Sequence, residues 1–223
     1  EDDSVLNSAP RSAATVDRSC ITGAPVTPER ASKALVLGWN ERAATVVSEL
    51  DNYAAPGSTL EILTEYGTPD VPELVNLTAT VAHGRTSERA TLDRYAMRDY
   101  DQVIVLCYSD QLPAQRADAR TLVTLLHLRE IVGDRAKGDR PSVVSEMLDD
   151  RNRALAQAAH VDDVIVSDEI LSLILSQLSE NERLEAVFQD LLDAEGSEIY
   201  LRPAGDYVVT GVQMNYATIV EAA

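Results

Sequence analysis

The feature that most constrains this chain is an alternation. Short β-branched runs at 34–38 (ALVLG), 59–65 (TLEILTE), 77–83 (LTATVAH), 102–107 (QVIVLC), 142–147 (SVVSEM) and 163–167 (DVIVS) are separated by stretches with helical spacing at 41–52, 87–97, 114–132 and 150–159. Strands interleaved with helices are the signature of parallel βαβ units, and runs such as VIVLC, apolar on both faces, suit strands buried between two helix layers. The pattern predicts an α/β, Rossmann-like, doubly wound parallel sheet of about six strands. In the long helix over 114–132, Leu122, Leu125, Leu126 and Ile131 are expected on the buried stripe, with His127 on the same apolar face.

The flanks read differently. Residues 1–33 are rich in Ser, Ala, Pro and Thr without hydrophobic periodicity and are expected to form an arm or linker. After the sixth run come two amphipathic helices, expected over 168–195 as crossover helices, with Ser167 or Asp168 capping the first, Asn181 the second, and Gly196 ending the second. Short strand-like pieces over 196–223 read as the start of a small α+β subdomain, incomplete as it stands. That divides the chain into an arm at 1–33, a Rossmann-like lobe at 34–167, crossover helices at 168–195 and the small subdomain at 196–223.

Charge limits the partners. With a net charge of −18 and only 19 Lys and Arg against 37 Asp and Glu, the chain lacks the clustered cations that phosphate backbones and anionic membrane surfaces require. Cys20 and Cys107 stand far apart, in a polar leader and at the end of an apolar run, and suggest neither a disulfide framework nor a metal motif. No window reaches the ~18 consecutive apolar residues of a bilayer span.

The candidate sites lie where strands end. In GWNERA, Gly38 holds the first position of a dinucleotide-binding turn, Asn40 the second and Ala43 the third. Ala43 is an accepted small residue. Asn40 departs from glycine, and its Cβ and amide are expected in the space of a pyrophosphate, with Trp39 adding bulk and Glu41 placed to satisfy the helix dipole itself. Glu65 closes the second run as the acid expected to meet a ribose hydroxyl, although it follows Gly38 by 27 residues rather than about 20. After the third run stand His83, Gly84 and Arg85; a histidine there is more often structural or solvated than catalytic.

Acidic groups collect farther along. Glu146, Asp149 and Asp150 follow the fifth run, and Asp162, Asp163, Asp168 and Glu169 flank the sixth. Hard cations such as Ca2+ take six to eight oxygens, so Glu146, Asp149 and Asp150, at a strand's C-terminal edge, are the candidate cation ligands. No EF-hand spacing is present. Nor is there a GxSxG elbow, a Walker loop or an HExxH helix, and none of His83, His127 and His160 has a Ser or Cys partner at a recognisable spacing. No catalytic residue is proposed, and the chain reads as a non-enzyme.

Three stretches together carry a resemblance: LVLGWNERAATVVSELDNYAAPGSTLEILTE at 35–65, ADARTLVTLLHLREI at 117–131, and VVSEMLDDRNRALAQAAHVDDVIVSDEILSLILSQLSENERLEAVFQDLLDAEGSEIYLRPAGDYV at 143–208. They resemble the RCK, or TrkA-N-like, regulatory module of ion channels, and within it the CASTOR/POLLUX family. The leading EDDSV resembles the end of a preceding RCK unit, which implies a second RCK domain with residues 7–33 as its interlobe arm. The resemblance further implies a cytosolic domain of a cation channel, placed below an upstream pore. There it would pair with other RCK domains in a tetrameric gating ring and couple a ligand, Ca2+ or less readily NAD(H), to gating. Ile170, Leu171, Ile174, Leu175 and Leu178 would then form the contact face of the crossover helix. The alternatives are a dinucleotide-binding Rossmann protein or NAD(P)-dependent enzyme, and a structural ring component without a ligand.

Overall fold

The computed structural model describes residues 15–23, 30–95, 97–133, 140–158, 163–181, 183–192 and 203–223. His160, Asp162 and Gly196, and the side chains of Asp163, Ser167 and Asp168, lie outside this description. The chain divides into two compact units, Arg30–Glu198 and a smaller one made of Glu1–Glu29 with Ile199–Ala223.

The larger unit is built on six parallel strands, β1 (Lys33–Leu37), β2 (Ser58–Thr64), β3 (Leu77–His83), β4 (Gln102–Val105), β5 (Ser142–Met147) and β6 (Asp163–Val166), in the order β3-β2-β1-β4-β5-β6. Every pairing is parallel and in register, for instance Leu35 opposite Glu61 and Val103. That is the doubly wound order with its reversal between β1 and β4, the position where such sheets open a ligand crevice.

Each face has its own cover. On one, α3 (Ala114–Val132), α4 (Arg153–Ala158) and the segment from α2 (Arg89–Leu92) to Tyr100 bury Leu35, Leu37, Leu63, Val103, Val105, Val143, Val164 and Val166. On the other, α1 (Ala43–Tyr53) packs Ala43 and Val47 on Ala34, Val36, Leu60 and Ile62, joined by Val71 and Leu74 from the β2–β3 connection. β3 is an edge strand and is exposed over most of its length.

Two expectations about helices change. The stretch read as a helix over 87–97 is helical only at 89–92 and then follows turns, because burying Leu92, Met97 and Tyr100 against the sheet, rather than helical periodicity, sets its path. In α3 the buried stripe is Ala117, Thr121, Thr124, Leu125, Leu128 and Val132. Leu126 lies on the exposed side, Leu122 and Ile131 only flank the core, and His127 is half-buried.

Two buried aspartates tie helices to the strand ends. Asp51 of α1 accepts hydrogen bonds from the backbone N–H groups of Val75, Asn76 and Leu77 at 2.8, 2.8 and 2.7 Å, fixing the entry to β3. Asp118 of α3, fully buried, accepts from Leu148 N, Asn152 Nδ2 and Asp149 N at 2.9, 2.8 and 3.0 Å, fixing the exit from β5. A buried carboxylate is tolerable because these donors replace its water.

β6 runs directly into α5 (Ser167–Glu180), so the cap position falls on Val166 rather than on Ser167 or Asp168. Asn181 does serve the next helix, α6 (Leu184–Leu192): its Oδ1 accepts from Arg183 N at 3.0 Å and its carbonyl from Leu184 N at 3.1 Å.

In the smaller unit, part of the stretch read as an arm is hydrogen-bonded. Ile21 forms an antiparallel bridge with Val208, Thr22 N donates to Tyr207 O and Val209 N to Cys20 O, both at 2.9 Å. Asp17 N donates to Thr218 Oγ1 at 3.0 Å, and Asn215 caps the terminal helix α7 (Tyr216–Ala222).

Candidate functional site

The crevice between β1 and β4 is where the turn of Gly38, Asn40 and Ala43 comes to rest. Gly38 has φ +99°, and a Cβ added there would sit 2.2 Å from the carbonyl oxygen of Leu106. The glycine is therefore demanded by the backbone leaving β4, whatever occupies the crevice. Ala43 is fully buried and lets α1 approach the sheet.

Asn40 is buried at the crevice, its amide engaged by the chain itself. It is 1% exposed, its Oδ1 accepts from Arg42 N at 3.1 Å, and its Nδ2 donates to Cys107 O and to Glu146 Oε2, each at 2.9 Å. Trp39 turns away and packs against the α1 side of the core. Glu41 precedes the first residue of α1; its backbone N–H donates to Asp110 Oδ2 at 2.6 Å, and Ala43 N donates to Asn40 O at 3.0 Å. The N–H groups of Glu41, Arg42 and Ala43, which lead into α1 and which an anion at this turn would use, are thus taken by the chain itself.

Glu146, from the end of β5, is the centre of this network. It is 8% exposed. Its Oε1 takes both Arg42 Nε at 3.0 Å and Arg42 Nη2 at 2.6 Å, a two-point guanidinium contact. Its Oε2 takes Asn40 Nδ2 at 2.9 Å, Cys107 Sγ at 3.1 Å and Cys107 N at 3.3 Å. Burial works against a charged Arg42, but the Glu146 carboxylate outweighs it and raises the guanidinium's pKa. Burial, reinforced by Glu146, pushes the Cys107 thiol far up, which favours the protonated thiol that donates to Glu146.

A second cluster closes the β2 end. Glu65 is bound by the Arg120 guanidinium and stands 3.6 Å from Arg85 Nε, while its backbone N–H donates to Tyr108 Oη at 3.0 Å. Arg120 also donates to Tyr66 Oη at 2.6 Å and Ser87 Oγ at 3.3 Å. Tyr66 and Tyr108 meet edge to face, with ring centroids 4.9 Å apart. The acid expected to accept from a ribose hydroxyl is already paired with two arginines.

The three proposed cation ligands part company. Glu146 faces Arg42 and Asn40; Asp149 takes the Arg151 guanidinium at 2.6 Å and caps the following 3-10 turn; Asp150 is exposed. Among the described residues no three His, Cys, Asp or Glu side chains are grouped to hold a metal ion. His83 is exposed and, with Lys33, Glu61, Arg94, Tyr95 and Tyr100, borders a shallow hollow of about 410 Å3. Glu61 there is held by Tyr100 Oη at 2.8 Å and Lys33 Nζ at 3.3 Å.

The stripe of α5 remains uncovered. Ile170, Leu171 and Leu175 are 43%, 56% and 57% exposed, Ile174 and Leu178 are half-buried, and Leu173 adds a further exposed side chain at 60%. Val187 and Leu191 of α6 are exposed as well.

Sequence reading missed Arg42, Cys107, Asp110 and Arg120. Arg42 alone offered a signal: a cation at a helix N-terminus opposes the dipole and calls for a nearby carboxylate.

No family model matches the chain. It is 25% identical to the ion channel CASTOR of Lotus japonicus over 99% of this chain and 30% of that protein. It is 24% identical to a probable ion channel POLLUX of Oryza sativa subsp. japonica over all of this chain and 27% of that protein. The chain thus spans less than a third of the length of these relatives. Among solved structures, the GsuK channel bound to NAD superposes with a TM-score of 0.53 at 16% identity, covering 74% of this chain and 26% of that one. The sheet and its helix layers share the Rossmann-like fold of that channel's matching region. Among the described residues no helix is long and apolar enough to cross a membrane.

Proposed function

Since the homologues of this chain are the CASTOR/POLLUX ion channels, we propose that it is a regulatory domain of an ion channel, lying at the cytoplasmic face and acting through contacts with further domains of its kind. In this reading its role is regulatory rather than catalytic. Placement as the second RCK domain of a subunit in a tetrameric gating ring is the finer form of the proposal.

The observation that carries it is α5. Ile170, Leu171 and Leu175 stand between 43% and 57% exposed on one face of the helix, with the half-buried Ile174 and Leu178 between them. Scattered exposed leucines are ordinary, but a contiguous apolar stripe is what an interface leaves behind when its partner is absent. Covering the rest of such a side chain gains about 1 kcal/mol each, enough in sum for reversible assembly.

Sedimentation velocity of the chain over a range of concentrations tests this. The native chain should associate at tens of micromolar, and Leu171→Asp with Leu175→Asp should leave a folded monomer. A native chain that stays monomeric at the highest concentration refutes assembly through α5.

For gating, a ligand must bind the open and closed arrangements unequally, since equal binding shifts nothing. Calcium is the ligand the resemblance implies. On this chain it would draw on Asp149 and Asp150 with oxygens from elsewhere, because Glu146 is engaged by Arg42 and Asn40. Calorimetric titration with calcium, repeated on Asp149→Ala and Asp150→Ala, separates a site at this edge from none. A nicotinamide dinucleotide is the second reading, suggested by the NAD-bound GsuK channel of the same fold, and it would require Glu146 to give up its contacts in the β1–β4 crevice.

A further inference from the structure

We infer that Glu146 is the built-in anion of the β1–β4 crevice, and the residue that denies this crevice to dinucleotides. The inference is independent of assembly through α5.

An external pyrophosphate needs free donors and a positive field at the turn after β1. Here four of the donors beside the turn are already committed. Glu41 N is held by Asp110, Arg42 N by the side chain of Asn40, Ala43 N by the backbone of Asn40, and Cys107 N by Glu146. The single cation of the turn, Arg42, spends its two-point contact on Glu146.

The field also has the wrong sign. Two carboxylates, Glu146 and Asp110, face one guanidinium, so a phosphate entering this space would meet net negative charge in a partly dry site, where like charges repel most strongly. Asn40 shows that the arrangement is built rather than incidental. Its fully buried amide reads both sides of the crevice, donating to Glu146 from β5 and to the Cys107 carbonyl after β4. A glycine, which a dinucleotide turn carries at this position, would leave both acceptors without that donor.

The carboxylate of Glu146 thus supplies an anion from within the chain and joins the turn after β1, the exit of β4 and the end of β5. Removing it should expose a small anion site. In Glu146→Ala the Arg42 guanidinium, the Asn40 amide and Cys107 N lose their common acceptor, and a small carboxylate can take its place.

The test compares the native chain, Glu146→Ala and Glu146→Gln. Thermal unfolding is followed with and without acetate and inorganic phosphate, and NADH binding is followed by energy transfer from Trp39, the only tryptophan. Acetate or phosphate should raise the melting temperature of Glu146→Ala by several degrees while leaving the native chain unmoved. NADH should bind Glu146→Ala at least about tenfold more tightly than the native chain. The isosteric Glu146→Gln, which removes the charge without opening a cavity, guards against a failure of the alanine variant to fold and should gain NADH affinity without gaining acetate rescue. The inference is overturned if the native chain binds NADH as tightly as either variant, or if folded variants respond to no anion. It is equally overturned if Glu146→Ala fails to fold even with acetate present and Glu146→Gln shows no gain for NADH.

Discussion

The end of the sheet and the helix that follows it solve opposite problems. Around Glu146 the Asn40 amide and the Arg42 guanidinium find their acceptor within the chain, and Asn40 and Glu146 are buried. Along α5, apolar side chains that would ordinarily be buried are left in water. The fold keeps the geometry of a ligand-binding crevice yet fills it from within, while the surface that asks for a partner lies outside the sheet. A Rossmann-like core therefore need not be read by its turn: on the proposal made above, the surface that acts and the crevice where such folds bind ligands lie apart.

The comparison predicts a double separation. Changes in the crevice should cost stability and leave assembly intact in whatever folds; changes on α5 should do the reverse. The largest effect is expected at Gly38. An added Cβ lies 2.2 Å from the Leu106 carbonyl at φ +99°, so both the backbone and the strand beside it must move. Gly38→Ala should lose about 4 kcal/mol, or fail to fold, as strain at a left-handed residue adds to overpacking. Chemical denaturation measures it. A loss below 1 kcal/mol, on the order of ordinary surface changes, would mean that the turn is far more pliable than the packing indicates.

That glycine was legible in the sequence, and the reason it is needed was not. GW after a β-branched run announces a strand, a turn and a helix, and the six runs and the long helix at 114–132 follow from periodicity alone. What periodicity does not carry is pairing at long range. Asn40 and Glu146 are 106 residues apart, and nothing in SVVSEM marks its glutamate as a partner rather than a cation ligand. The error over Leu126 has the same origin: α3 must meet the sheet through a small-residue stripe of Ala117, Thr121 and Thr124, and that choice is made by the neighbouring strands. The stripe of α5 was legible as a pattern, whereas its exposure depends on what covers it.

A smaller effect separates structural carboxylates from the one in the crevice. Burial alone would raise the Asp51 pKa, but three backbone N–H donors outweigh it and hold the carboxyl below its usual range. A depressed folded-state pKa adds stability that is present above the unfolded value of about 3.9 and is lost as pH falls through the folded one. Asp51→Asn should therefore cost about 2 kcal/mol near neutrality, from donors left poorly matched, and should flatten the acid limb of the stability curve. Denaturation midpoints taken from pH 7 down to pH 3 would show the two curves converging. Parallel curves would mean that Asp51 does not titrate with folding.

The smallest stability effect, and the one that tests the other half of the comparison, belongs to α5. Leu171 and Leu175 are more than half exposed, so replacing both by Asp removes little buried area from the single chain and should change its unfolding free energy by no more than about 0.5 kcal/mol at each position. The same pair should abolish association if a second copy covers the stripe, because two carboxylates would then be buried opposite leucines without partners. Measuring both quantities on one sample decides the matter. Lost stability without lost assembly would return α5 to the interior of a single chain, and the contrast between a closed crevice and an open helix would have to be abandoned.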